Sequence, residues 1–123
     1  MGKLQAGVVT DGIGNYLKSN AIKETVCSSQ PTVFADIATY KLADVTMAGG
    51  DFTLAAGDVS GRKVTMGAKS GIVIASSGTA THVCLDDGST LLEVTTCTSQ
   101  ALTANGSNTV NIPAWKNEVA APT

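Results

Sequence analysis

Two strand-like runs meet at a single dipeptide in THVCLDDGSTLLEVTT (81–96), and that meeting constrains the fold more than any other stretch. Asp87-Gly88 sits between them. Asp-Gly accommodates the positive φ that a two-residue type I′ hairpin turn demands at both central positions. Built on that turn, Asp86 faces Ser89, Leu85 faces Thr90, Cys84 faces Leu91, Val83 faces Leu92, His82 faces Glu93 and Thr81 faces Val94. Side chains alternate along a strand, so Thr81, Val83, Leu85, Leu92 and Val94 share one apolar face that belongs in a core. His82, Cys84, Asp86, Leu91 and Glu93 take the other, with His82 and Glu93 as a cross-strand pair.

The rest of the chain is punctuated in the same way. KETVCSS (23–29) is a strand halted by Pro31, and MAGGD (47–51) is a turn. Residues 32–50 support either a helical turn or a wandering loop with strand pieces. Phe52 to Leu54 form a short strand and GDVSGR (57–62) a loop. RKVTMGA, KSG and IVIASS (62–77) read as one hairpin. ANGSN (104–108) turns into TVNIPAW, where Val110, Ile112 and Ala114 alternate as a half-buried strand should. Short strands broken by Gly-rich turns at this spacing predict a mostly β fold, either an antiparallel β-sandwich or a small jelly-roll-like barrel. DGIGNYLKSNA (11–21) is the one helix predicted, short and N-terminal. Asp11 can cap it, Ile13, Tyr16 and Leu17 share a face, Lys18 suits its C-terminal end, and Gly12 and Gly14 keep it short. The domain plan is a Gly-rich arm (1–12), a single β-rich domain (13–115) and a C-terminal tail (116–123).

With 123 residues, a chain of this kind buries roughly two-thirds of its unfolded surface without metals or disulfides. Aromatics are 4% of residues, so the core must come from Val, Ile, Leu and Ala. Charged residues are only 15%, against roughly 25% in ordinary soluble chains. The surface is therefore hydroxyl-rich and nearly neutral. Net charge is −2 with no basic stripe, and Arg62-Lys63 flanks a strand, so no nucleic-acid partner is expected. No stretch approaches the ~20 apolar residues of a bilayer span, and MGKLQAGVVTDG lacks the apolar core of a secretory signal. Neither a membrane partner nor secretion is expected, and synthesis belongs in a reducing cytoplasm. Cys27, Cys84 and Cys97 are odd in number and form no C-x-x-C, so they read as buried free thiols.

The chemistry-bearing residues do not assemble into a reaction centre by spacing. Asp86 lies about 13 Å from His82 along an extended strand, and Cys84 lies about 7 Å from it, both too far for contact. No G-x-S-x-G elbow, P-loop, G-x-G-x-x-G or calcium-loop spacing is present. One histidine and scattered cysteines do not make a zinc set. Asn105-Gly-Ser matches a glycosylation sequon but, without a secretory route, is a turn. The expectation is a non-enzyme with no catalytic residue, no metal site and no cofactor.

Several segments together carry a resemblance: GNYLKSNAIKETVCSSQPT, TYKL, GDVSGRKVTMGA, SGTATHVCLDDGSTLLEVTT and SQALTANGSNTVNIPAW. They resemble a family of small proteins encoded in tailed-bacteriophage structural gene clusters. Shared features are a short N-terminal helix before an I-C-S-x-x-P-T-like segment, a G-R-K-V-T strand, a G-T-A-T-H hairpin strand and a C-terminal strand after a Gly-containing turn. The likeness spans about 11–115 and is strongest at 61–65 and 78–82. Cys84 and Cys97 depart from it, where members often carry Ala, Trp or Gly. The resemblance implies a virion protein made in the host cytoplasm and placed on the capsid surface. There it decorates or cements the head by binding the major capsid protein, as a homotrimer or homodimer. Lys3, Leu4, Val8 and Val9 in the arm, with Trp115 and Val119 near the other end, are the candidate contacts. The alternatives are a head-fibre or receptor-type protein that binds host or glycan, and a tail or connector subunit. A glycan site needs exposed aromatics. Of Tyr16, Phe34, Phe52, Tyr40 and Trp115, most are expected in the core, with Trp115 the best exposed candidate.

Overall fold

The computed structural model describes residues 12–58 and 61–119. In chain order its elements are α1 (Gly12–Asn20), β1 (Lys23–Cys27), α2 (Phe34–Tyr40) and β2 (Lys41–Thr46). A 3-10 turn (Gly49–Asp51) and β3 (Phe52–Ala56), β4 (Arg62–Met66) and β5 (Lys69–Val73) follow. The last four are β6 (Gly78–Asp86), β7 (Leu91–Leu102), β8 (Thr109–Ile112) and β9 (Trp115–Val119). Strand dominates, and the antiparallel strands form three open sheets, an arrangement consistent with a small β-sandwich and not closed into a barrel. The described residues hold two helices where the sequence predicts one.

The described residues divide into two compact units, one of residues 12–19, 48–58, 61–68 and 113–119, the other of residues 20–47 and 69–112. In the first, β3, β4 and β9 pair in that order, Phe52 opposite Met66 and Met66 opposite Trp115. Phe52, Val64, Met66 and Leu17 are its buried apolar side chains. Helix α1 buries Gly14 and Leu17 and leaves Ile13 and Tyr16 about half exposed, so the face predicted from Ile13, Tyr16 and Leu17 is rotated. Gly14 explains the rotation. A Cβ placed there would stand 3.1 Å from Leu54 Cδ2 and 3.1 Å from Val64 Cβ, so the absence of a side chain lets the helix approach β3 and β4. Residues 116–119, predicted as part of a tail, complete this sheet as β9.

In the second unit β2, β1, β6 and β7 form a four-stranded sheet and β5 pairs with β8. The predicted hairpin of residues 62–77 does not form, because β4 pairs with β3 and β9 while β5 pairs with β8. TVNIPAW is likewise two strands. Pro113 has no N–H for a ladder, and Val110 and Ile112 are buried before it while Ala114 is exposed after it. Strand β2 is joined to the segment after β5 by bonds from the Ala75 and Ser76 amides to the Leu42 carbonyl. Strand β1 lies between β2 and β6, and residues 24–27 are all buried.

The β6–β7 hairpin exists, but its turn and register differ from the prediction. Leu85 faces Glu93, Cys84 faces Val94, Val83 faces Thr95 and His82 faces Thr96, with irregularities at Leu85/Asp86 and Ala80/His82. His82 therefore does not face Glu93, and Val94 shares the Cys84 face instead of joining Val83 and Leu85. A type I′ turn needs positive φ at both central residues. Gly88 has φ 95°, but no non-glycine residue among those described has positive φ. Asp87 instead caps a longer loop. Its Oδ1 accepts from the Ser89 amide (3.0 Å), the Ser89 hydroxyl (3.2 Å) and the Thr90 amide (2.7 Å). Asn105 repeats the motif, its Oδ1 accepting from the Ser107 amide (3.0 Å), the Ser107 hydroxyl (3.2 Å) and the Asn108 amide (2.7 Å).

These contacts set two expectations. Leu85 is fully buried, so Leu85→Ala should cost about 2–5 kcal/mol in urea unfolding, whereas exposed Thr98→Ala should stay within about 0.5 kcal/mol. The backbone bonds from Ser89 and Thr90 hold the Asp87 carboxyl below its ordinary value. A carboxyl lowered by folding binds fewer protons in the native state. Its contribution is present above about pH 4 and is lost as pH falls through its native value. Asp87→Asn keeps the acceptor oxygen but loses the charge, so it should flatten acid-melting curves by lowering the midpoint slightly at neutral pH while matching the wild type in acid. Asp87→Ala should lower that midpoint.

Candidate functional site

Among the sequence-predicted contacts, Lys3, Leu4, Val8 and Val9 lie outside the described residues. Trp115 opens β9 opposite Met66 and is half-buried, and Val119 closes the same strand opposite Arg62. The structure thus places Trp115 and Val119 at opposite ends of one short strand. Of the aromatics, Phe52 is fully buried, Tyr40 and Trp115 are half-buried, and Tyr16 and Phe34 are 53% and 38% exposed. The expectation that most aromatics sit in the core fails, because aliphatic, methionine and cysteine side chains already fill it.

His82 is half-buried in β6, directly across from Cys27 on one side and Thr96 on the other. Its Nδ1 lies 2.9 Å from Thr81 Oγ1. Cys27 is fully buried, and its Sγ lies 3.9 Å from that of Cys84. Both sulfurs pack with Ile37 of α2, flanked by Tyr40, Leu91 and Val94. The contact with Cys27, then burial, then the charges of Cys27 and Asp86 push the Cys84 thiol far above its ordinary value. It stays protonated and inert at neutral pH. The cysteines are free, as expected, with Cys97 half-buried and its thiol raised, first by burial. No group of three or more His, Cys, Asp or Glu side chains among the described residues is placed to hold a metal ion.

Two features of the second unit emerge that spacing did not reveal. The first is the outer flank of β7. At 12 residues it is the longest strand described, and it carries a single charge, Glu93, with no proline or lysine. It lies at the end of the sheet with only β6 beside it among the described residues. Strand edges present unpaired backbone groups and are usually blunted by charge or proline. The other end, β2, carries Lys41 and Asp44 and is bonded to the segment after β5. On β7 the only such device is irregular register, at Leu92 and around 97–99, leaving Glu93 to Thr96 in regular pairing.

The second is a pocket of about 190 Å³ between the sheet and α2. Pairing puts Lys23 opposite Asp86 and Thr25 opposite both Cys84 and Asp44, so these residues share the face that α2 covers. Asp44 accepts from Lys41 at 3.3 Å and lies 3.7 Å from the Lys23 ammonium. Deeper in, Asp86 Oδ2 accepts from the Gly88 amide at 2.9 Å. Asp86 Oδ1 and Thr25 Oγ1 are buried and have no hydrogen-bond partner among the described residues. Buried polar atoms without partners are uncommon because desolvation costs about 1–3 kcal/mol each. The sequence reading put Asp86 with His82, Cys84, Leu91 and Glu93 on the face turned away from the core. A signal was present in KETVC, where polar Glu24 and Thr25 interrupt a strand buried on both faces.

The thiols give a direct check on this packing. Under native conditions a disulfide-exchange reagent should modify Cys97 alone, slowly at pH 7 and faster above pH 8. Cys27 and Cys84 should react only in denaturant, as peptide mapping of the labelled protein would show. A comparison with protein-family models, with curated proteins and with solved structures found no match to this chain.

Proposed function

We propose that the protein is a structural subunit of a bacteriophage virion that decorates the head by binding the lattice of the major capsid protein. The observation that carries this reading is the nearly uncharged outer edge of β7, which no strand among the described residues pairs. A lone subunit with such an edge risks unspecific strand pairing, whereas a subunit of an assembly uses it. The low charge of the whole chain and its hydroxyl-rich β7 suit a broad, moderately polar contact surface. The sequence resemblance to phage structural proteins supplies the setting. The mechanism is cross-bridging without a chemical step. Contacts that exist only on the assembled shell stabilise that shell by mass action. A three-fold lattice site favours a trimer and a two-fold site a dimer.

Counting copies per purified particle by quantitative mass spectrometry tests the reading. Hundreds of copies support decoration, whereas absence from particles, or about a dozen copies as for a connector or fibre, would overturn it. Thr96 is exposed on β7. Thr96→Lys should weaken binding to empty heads at least tenfold while the melting temperature stays within about 2 °C. Unchanged binding would remove the β7 edge from the interface.

A further inference from the structure

The pocket beside α2 combines two features that together specify a ligand. Its depth is acidic and short of hydrogen-bond donors: Thr25 is fully buried, Asp86 is 4% exposed, and Oγ1 and Oδ1 have no partner among the described residues. Its solvent-facing side is basic. The Lys23 and Lys41 side chains are 45% and 41% exposed and share one carboxylate, Asp44, which leaves one positive charge in excess. The wall contributed by α2 is apolar, with Phe34, Ile37 and Ala38. A cavity of about 190 Å³ holds on the order of six water-sized volumes, the size of a small organic molecule.

We propose that this pocket binds a small zwitterion of the amino-acid class, a primary ammonium joined to a carboxylate by a short apolar stem. Both oxygens are sealed from solvent at rest, so the ligand enters with a small turn of the Thr25 and Asp86 side chains, after which its ammonium, with three donors and a positive charge, meets them in a charge-assisted pair away from water. The stem lies along Ile37 and Ala38. The carboxylate meets the surplus positive charge of Lys23 and Lys41. A plain cation satisfies the depth but meets the lysines unfavourably, and a plain anion meets Asp86 unfavourably, so the two ends of the cavity select a dipolar ligand. Lys23 is the competing occupant, since it stands opposite Asp86 in the β1–β6 pairing, yet its ammonium lies toward Asp44 instead.

The test is an amide NMR titration of the full chain with 4-aminobutyrate, n-butylamine and sodium butyrate as separate probes. Saturable shifts at Thr25, Ile37 and Gly88 are expected with 4-aminobutyrate, with n-butylamine about tenfold weaker and butyrate without effect. Asp86→Asn should weaken 4-aminobutyrate binding at least tenfold. Thr25→Val preserves shape and strand propensity, so it reports on the site even if the Asp86 variant unfolds, and it too should weaken binding about tenfold. Lys23→Met should weaken 4-aminobutyrate but leave n-butylamine unchanged or tighter. Shifts that never saturate, butyrate binding equal to 4-aminobutyrate, or wild-type affinity in Thr25→Val would each overturn the proposal. So would tight 4-aminobutyrate binding that appears only in Lys23→Met, because Lys23 would then fill the site itself. None of these outcomes bears on whether the protein is found on virions.

Discussion

The pairing of β1 with β6 is the constraint on which the larger unit depends. β1 has a neighbour on each edge, β2 and β6, and its residues 24–27 are buried. β6 ends in four consecutive buried residues, Val83, Cys84, Leu85 and Asp86. A strand buried on both faces cannot satisfy a simple alternation of apolar and polar residues. Val26, Val83 and Leu85 meet that demand with apolar side chains, and Cys27 and Cys84 meet it under α2 with small, weakly polar ones. Glu24, Thr25 and Asp86 do not, and they are the buried polar residues of the described chain. The same pairing that builds the core thus also builds the pocket.

Much of the strand content could be read from the residues, because it rests on local rules. KETVC, RKVTM and TVNI are short β-prone runs bounded by turn residues, and each is a strand. Helix α1 was legible for the same reason. Helix α2 was hidden because Val33 stands at its N-cap, where a hydroxyl or carboxylate is usual. The stabilising group is Asp36, reaching back to the amides of Thr32 and Val33 and to the Thr32 hydroxyl. The hairpin around Asp87 was legible as a hairpin but not in register. Asp-Gly serves a two-residue turn and a side-chain-capped longer loop equally well, and only Asp87's backbone conformation separates them. That difference moved Val94 to the face of Cys84 and His82 away from Glu93.

The site was less legible than the fold. Whether a carboxylate at the end of a strand is solvated depends on what covers that strand, and the cover beside Asp86 is helix α2, more than forty residues earlier in the chain. Thr25 and Asp86 come together through strand pairing and are roofed by α2, so their proximity is tertiary throughout. Partner choice among strands was hidden for the same reason. β4 and β5 are neighbours in sequence but join different sheets, and nothing in RKVTMGAKSGIV announces that β9 and β8 are waiting for them.

That wiring has a consequence for how the chain reaches its shape during synthesis. Cys27 and Cys84 touch although they stand 57 positions apart in the chain, and β4 must wait for β9, more than forty residues downstream, to finish its sheet. Contacts so distant offer no reward until a long loop has been closed, which slows the search. A ribosome that has released β1 and β2 has produced a hairpin with one flank bare, and such exposed nascent edges are where aggregation begins. Hence translation speed and chaperone supply should govern the yield of this protein more strongly than its final stability does.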